Sequence, residues 1–153
     1  MITIYTDGSS RNNPGPGGWG VVVIYDNKVA ELGGGERHTT NNRMELTAAI
    51  EALNAVSDKH ITIYTDSEYV MKGMNEWIHN WQKKNWKTAN KKPVLNQDLW
   101  QKLLEVVGDR KIEWKYVASH VGIRLNERAD EIATAFADNF SPILYNGPRD
   151  KYK

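Results

Sequence analysis

The chain has 153 residues, which suits one domain, and 40% hydrophobic residues with six tryptophans are enough to fill a core. It has no cysteine, which excludes a disulfide framework, a zinc–thiolate centre and a cysteine nucleophile. The net charge of +1 conceals an asymmetry: no acidic residue lies between Glu76 and Asp98, a stretch that holds Lys83, Lys84, Lys87, Lys91 and Lys92.

No run of about 18 apolar residues is present, and the opening MITIYTDGSS lacks a basic region followed by a long apolar one. A soluble, cytoplasmic, monomeric protein without a signal peptide is therefore expected.

Residues 2–7 read ITIYTD, a β-branched and aromatic run with period-2 alternation, and predict a strand. Pro14-Gly15-Pro16-Gly17-Gly18 reads as a turn-rich loop. Trp19–Tyr25 follows as a strand, Asp26-Asn27 as a hairpin turn, and Lys28–Leu32 as the returning strand, ending at Gly33-Gly34-Gly35. In the next segment Leu46, Ala49, Ile50, Leu53 and Val56 keep helical spacing, so an amphipathic helix is predicted, with Asn42 to Glu45 fitting a capping box.

Residues 61–66 then repeat ITIYTD. A crossover helix leads into this segment, so it is expected to run parallel to the first strand. Ser67 can cap a helix to about Met74, and a second helical stretch spans Glu76–Gln82. A helix from about Asn96 carries Leu99, Leu103, Val106 and Val107 and closes at Gly108. Ile112–Ala118 alternates as a strand. Asn126 is expected to cap a last helix bearing Ala129, Ile132, Ala133 and Phe136. The Pro-, Gly- and charge-rich stretch from Ser141 reads as a poorly ordered tail, which leaves one domain over 1–140.

The repeat carries the first chemical signal. Adjacent parallel strands lie roughly 5 Å apart, so Asp7 and Asp66 would sit together at their carboxyl ends, where open α/β sheets bind ligands. Two carboxylates at ~4 Å repel by about 4 kcal/mol in a partly screened site. A shared proton, a basic partner or a divalent cation must offset this, and hard oxygen ligands suit magnesium. The plainer alternative makes both residues turn formers, since Asp is common after strands. Glu45 equally fits a helix cap, although Ala48, Ala49 and Ala52 beside it would allow close approach to the sheet. Asp130 equally fits a first-turn acid favoured by the helix dipole.

Taken together, TDGSSRNNPGPGGWG, TTNNRMEL, YTDSEYV and SHVGIRLNERADEIA closely resemble, in order and spacing, four blocks of the bacterial type 1 ribonuclease H family. The likeness runs from Met1 to about Asn139. It implies an α/β fold with a ribonuclease H-like mixed five-stranded sheet flanked by helices. The implied activity is endonucleolytic hydrolysis of the RNA strand of RNA/DNA hybrids by two magnesium ions, with manganese able to substitute, leaving 5′-phosphate and 3′-hydroxyl ends.

The same resemblance implies that Asp7, Glu45, Asp66 and Asp130 are the metal-binding catalytic set. Asp7 would bridge the two ions, and Glu45 would also sense the 2′-hydroxyl. His120 would assist proton transfer or product release, although Ser119 stands where many relatives have Gly. Ser10, Asn13, Asn41, Asn42 and Glu68 match positions that line the hybrid's minor groove or backbone, with Glu68 in place of a frequent Gln. Thr40 and Asn13 would contact a DNA phosphate.

Trp77–Lys92 resembles a basic protrusion that grips the DNA strand, through Trp81, Lys83, Lys84, Trp86, Lys87, Lys91 and Lys92. Leu95 replaces a further Lys there. The i, i+4 spacing of Trp77 and Trp81 also suits burial, and Trp81 and Trp86 are expected to be the more exposed. A non-catalytic hybrid-binding module would lose a carboxylate, and all four are present. A resolvase-like nuclease fits the NNRMEL block and the basic segment less well. An aspartyl-phosphate phosphatase wants a second Asp where Ser9 stands.

Overall fold

The repeated hexapeptide forms the centre of the sheet. In the computed structural model, which describes residues 2–117 and 124–152, the two copies are adjacent parallel strands, β1 (Ile2–Ser10) and β4 (His60–Thr65). They run in register from Ile2 opposite Ile61 to Thr6 opposite Thr65. Alternation then sorts the side chains. Ile2, Ile4, Ile61 and Ile63 are buried in one cluster with Leu46, Ala49, Ile50 and Leu53 of helix α1 (Asn41–Asn54). On the other face Tyr5 stacks on Tyr64, ring centres 4.9 Å apart.

Strands β2 (Gly15–Ile24), β3 (Lys28–Thr39), β5 (Lys111–Tyr116) and β6 (Asn146–Pro148) complete a mixed sheet in the order β5-β4-β1-β2-β3-β6. β1, β4 and β5 are parallel, while β1–β2, β2–β3 and β3–β6 are antiparallel. The α/β class agrees with expectation, but the sheet has six strands, not five.

The extra strand comes from the segment read as a poorly ordered tail. Its Asn146, Gly147 and Pro148 pair with Ala30, Val29 and Lys28 on the otherwise open edge of β3. Composition alone counted the Pro, Gly and charges, and overlooked Tyr145 and Tyr152. Both pack against the cluster of Val22, Val29 and Ala129.

A second difference concerns the glycines. Gly15 to Gly18 and Gly33 to Gly35 were expected in loops, yet they lie inside the β2–β3 ladder, with Gly18 opposite Gly35 and Gly20 opposite Gly33. Their role is proximity, not turning. A Cβ on Gly18 would stand 2.3 Å from the Ala133 carbonyl oxygen, and one on Gly33 2.5 Å from Ile132 Cγ2. Helix α5 (Arg124–Ala137) presses directly on this strip of backbone.

α1 and α5 thus cover opposite faces of the sheet. After β4, α2 (Glu68–Lys72), a π-helical turn (Gly73–Trp77) and α3 (Ile78–Lys83) follow without interruption, where two separate stretches were expected. Ser67 caps α2 as predicted, its Oγ accepting from the Val70 amide at 3.1 Å. α4 (Gln97–Val107) starts after Asn96 and ends at Gly108, whose φ of 54° is easy only for glycine. α5 begins before Asn126, so that residue does not cap it. No helix among the described residues is long and apolar enough to cross a membrane.

Candidate active site

Four acids meet at one end of the sheet, each delivered by a different element. Asp7 and Asp66 each follow the last pair of the β1–β4 ladder, Thr6 opposite Thr65. Parallel pairing of identical sequences therefore sets these two carboxylates side by side. Glu45 arrives from above. A Cβ on Gly8 would lie 2.3 Å from both the Met44 carbonyl carbon and the Glu45 nitrogen, so only glycine after Asp7 lets the start of α1 settle on β1. Asp130 arrives from below. Gly20 lies opposite Asp7 in the β1–β2 ladder, and a Cβ on it would stand 2.3 Å from the carbonyl oxygen of Ala129, the residue before Asp130.

The capping-box reading of Glu45 does not hold. The N-cap of α1 is Thr40, two residues earlier than expected, and its Oγ1 accepts from the Arg43 amide at 3.2 Å. This places Glu45 beyond the first turn, facing the cleft. The cleft has a volume of about 540 Å³ and is lined by Asp7, Gly8, Ser9, Asn41, Glu45, Asp66, Asn126, Glu127 and Asp130.

Crowding sets the charge state. Burial first, then the charge of Asp66 and a hydrogen bond and charge from Asp130, push Asp7 from 3.8 to about 9, against the single Gly8 amide that donates to its Oδ1 at 2.8 Å. Burial, then the charges of Asp7 and Asp66, hold Glu45 well above the usual carboxylate range. Burial also raises Asp66, although hydrogen bonds with Glu45 and Asp7 pull the other way.

The donor set fits a hard divalent cation. One oxygen from each of Asp7, Glu45 and Asp66 lies within 4.8 Å of the other two. Glu45 Oε1 and Asp66 Oδ1 are buried without a hydrogen-bond partner, and among the described residues no ion pair reaches any of these three acids. Buried carboxylate oxygens in that condition are costly unless a proton or a cation meets them. Asp130 adjoins Asp7 at the solvent side and is exposed.

The predicted groove residues divide into two groups. Ser10, Asn13 and Asn41 interlock: Asn41 Oδ1 accepts from the Ser10 amide at 2.7 Å and from its hydroxyl at 3.2 Å, while Asn13 Oδ1 accepts from the Asn41 amide at 2.9 Å. This net joins the β1–β2 loop to the start of α1 beside the acids. Thr40 and Asn42 sit in the same corner, Thr40 spending its hydroxyl on the cap. Glu68 is exposed at the start of α2 and pairs with Lys72 at 3.5 Å.

Farther away, Lys83, Lys84, Lys87, Lys91 and Lys92 are all exposed. Trp77, Trp81 and Trp86 all fall in the same half-buried range. Their rings form one chain, and Trp81 meets the fully buried Trp100 edge-on at 5.3 Å. The exposed Leu95 adds no charge. His120 and Ser119 lie outside the described residues.

Asn126 is the site residue that sequence reasoning assigned wrongly. It is buried, its Oδ1 has no hydrogen-bond partner, and it faces the acids from α5. Its spacing of one helical turn before Asp130 was the available signal, hidden by a preference of Asn for caps.

The chain is similar to known proteins in sequence and in fold. The RNase H family profile matches residues 1–138. The ribonuclease H of Pseudomonas putida strain W619 is 55% identical over 138 residues, spanning 90% of this chain and 93% of that protein. That of a Cyanothece species is 54% identical over 145 residues, spanning 92% of each. Among solved structures, LC9-RNase H1, described as a type 1 RNase H with the type 2 active-site motif, superposes with a TM-score of 0.84 at 31% identity, covering 95% of this chain and 76% of that one. LC11-RNase H1, solved in complex with an RNA/DNA hybrid, gives a TM-score of 0.69 at 28% identity, covering 91% and 98%.

Proposed function

The chain belongs to the ribonuclease H family, and on that premise we propose that it cuts the RNA strand of RNA/DNA hybrids by two-metal hydrolysis, leaving 5′-phosphate and 3′-hydroxyl ends. The observation that carries this reading is the cluster of Asp7, Glu45 and Asp66, with two buried oxygens lacking partners, and Asp130 beside it. Magnesium is the expected ion, with manganese able to replace it.

Two such ions, when bound, activate the attacking water and neutralise charge on the leaving oxygen. Asp7 would be the residue shared by both ions, which requires it to lose the proton that its crowded site favours. Glu45 and Asp66 would help hold the metal, and Glu45 would also read the 2′-hydroxyl that separates RNA from DNA. Asp130 would complete the set that holds it. His120 moves a proton or frees the product. Ser10, Asn13 and Asn41, preorganised by their hydrogen bonds, face the minor groove with Asn42 and Glu68, while Thr40 and Asn13 meet a DNA phosphate. The five lysines hold the DNA backbone, and Trp81 and Trp86 offer ring edges to sugars. The working unit is a cytoplasmic monomer.

The deciding experiment is cleavage of a labelled RNA/DNA hybrid beside RNA/RNA and DNA/DNA duplexes, with magnesium or EDTA, for wild type and Asp7→Asn. Magnesium-dependent cutting of the hybrid's RNA strand alone, lost in the variant, is expected. Binding without cutting in magnesium and in manganese would overturn the catalytic reading, and cutting of DNA duplexes would move the substrate elsewhere.

A further inference from the structure

A buried acid unrelated to the cleft ties the end of the chain to the catalytic helix. The Glu31 side chain on β3 is only 2% exposed. Its Oε1 accepts from Arg128 Nη2 at 2.9 Å and from the Tyr145 amide at 2.8 Å, and its Oε2 accepts from Arg128 Nε at 2.7 Å and from the Tyr152 hydroxyl at 2.6 Å. Arg128 reaches onward, its Nη2 donating to the Ile143 carbonyl at 3.0 Å. Burial alone would raise Glu31, yet these donors lower it below the usual carboxylate value. The Glu31 amide also donates to the Tyr145 carbonyl at 2.7 Å, just before β6 joins β3.

Arg128 stands on α5 midway between Asn126 and Asp130. The rings of Tyr145 and Tyr152, 5.0 Å apart, pack against the cluster that includes Leu125 and Ala129 of the same two turns. The clasp therefore grips the stretch of α5 that borders the cleft, and it does so from β3, a strand that contributes none of the four cleft acids.

We propose that residues 141–152 are a positioning element of the nuclease site: closed on Glu31 and Arg128, they set the place of Asp130 beside Asp7. The inference rests on the proposed hydrolytic function but can fail separately from it. Asp130 is the one acid of the four held outside the tight cluster, so its position depends on how firmly α5 is seated. Asp7, Glu45 and Asp66 are set by β1, α1 and β4 and do not need the clasp.

The test compares wild type, Tyr152→Phe and a chain ending at residue 140, each at a temperature where circular dichroism reports it folded. Two quantities are read: hydrogen exchange by segment, and hybrid cleavage against magnesium concentration. Exchange should quicken in 125–133 while α1 and β4 stay protected. The magnesium needed for half-maximal cleavage should rise about tenfold, the low end for loss of a group supporting a metal ligand, with KM for the hybrid nearly unmoved.

If the shortened chain does not fold, Tyr152→Phe carries both readings. Faster exchange in α5 with an unchanged magnesium requirement would overturn the proposal, as would faster exchange spread evenly through the core. A wild type that cuts no hybrid would instead sink the functional reading, and is told apart because it needs no variant.

Discussion

Gly8 lies so close beneath Glu45 that a Cβ on the glycine would stand 2.3 Å from the glutamate's backbone nitrogen. The obstacle is main chain at the start of a helix, which cannot turn aside as a side chain would. Gly8→Ala should therefore lift α1 from β1, cost about 1–3 kcal/mol of stability, and withdraw Glu45 from Asp7 and Asp66. Denaturant unfolding reads the first effect and kcat the second. A variant with unchanged stability and unchanged kcat would show that α1 is not held in this way.

The protonation of the cleft predicts an uncommon pH dependence for metal-free protein. Asp7 is raised from 3.8 to about 9, and Glu45 and Asp66 are raised as well. Between those limits the native state binds more protons than the unfolded chain, so stability falls as pH rises through the window. Glu31, lowered, acts in the opposite sense, its contribution being lost only as pH falls below its ordinary 4.5. Melting temperature in EDTA should thus decline from about pH 5 toward pH 9. Asp7→Asn should flatten the decline, and magnesium should stabilise most at the alkaline end, where the carboxylates yield their protons to it. A flat EDTA profile in wild type would contradict the crowded geometry.

The exposed lysines predict a salt signature. Each phosphate contact removed lowers the slope of log affinity against log salt by about 0.9 on a duplex. Lys87→Ala together with Lys91→Ala should flatten the slope by nearly twice that and raise KM, with kcat unchanged at saturating hybrid. An unaltered slope would reduce these lysines to solvated surface charge.

The π-helical turn makes a prediction about stability alone. A Cβ on Gly73 would stand 2.0 Å from Trp100 Cη2, and Trp100 is fully buried with its Nε1 donating to the Tyr69 hydroxyl at 3.0 Å. Gly73→Ala should cost about 1–3 kcal/mol through overpacking, seen as a lower urea midpoint with the slope unchanged. Tryptophan fluorescence should shift as the ring chain from Trp77 to Trp100 is displaced. The cost would be absent if the helix could slide away from Trp100.

Local pattern carried much of this protein by itself. Period-2 alternation marked β1 and β4, helical spacing marked α1 and α4, and the repeated ITIYTD implied a parallel pair ending in two acids, because each depends on neighbours close in the chain. The family likeness then singled out Glu45 and Asp130, which alone read as a cap and a first-turn acid. Two features depended on contacts distant in sequence and so had no local signature, and a third turned on which of two nearby residues takes a helix cap. The glycines of β2 and β3 read as turns because the helix that rests on them lies about a hundred residues away. Glu45 read as a capping residue until Thr40 took the cap. The last dozen residues read as a loose tail, since only the folded sheet offers the open edge of β3 and the ion pair of buried Glu31 with half-buried Arg128 on which they close.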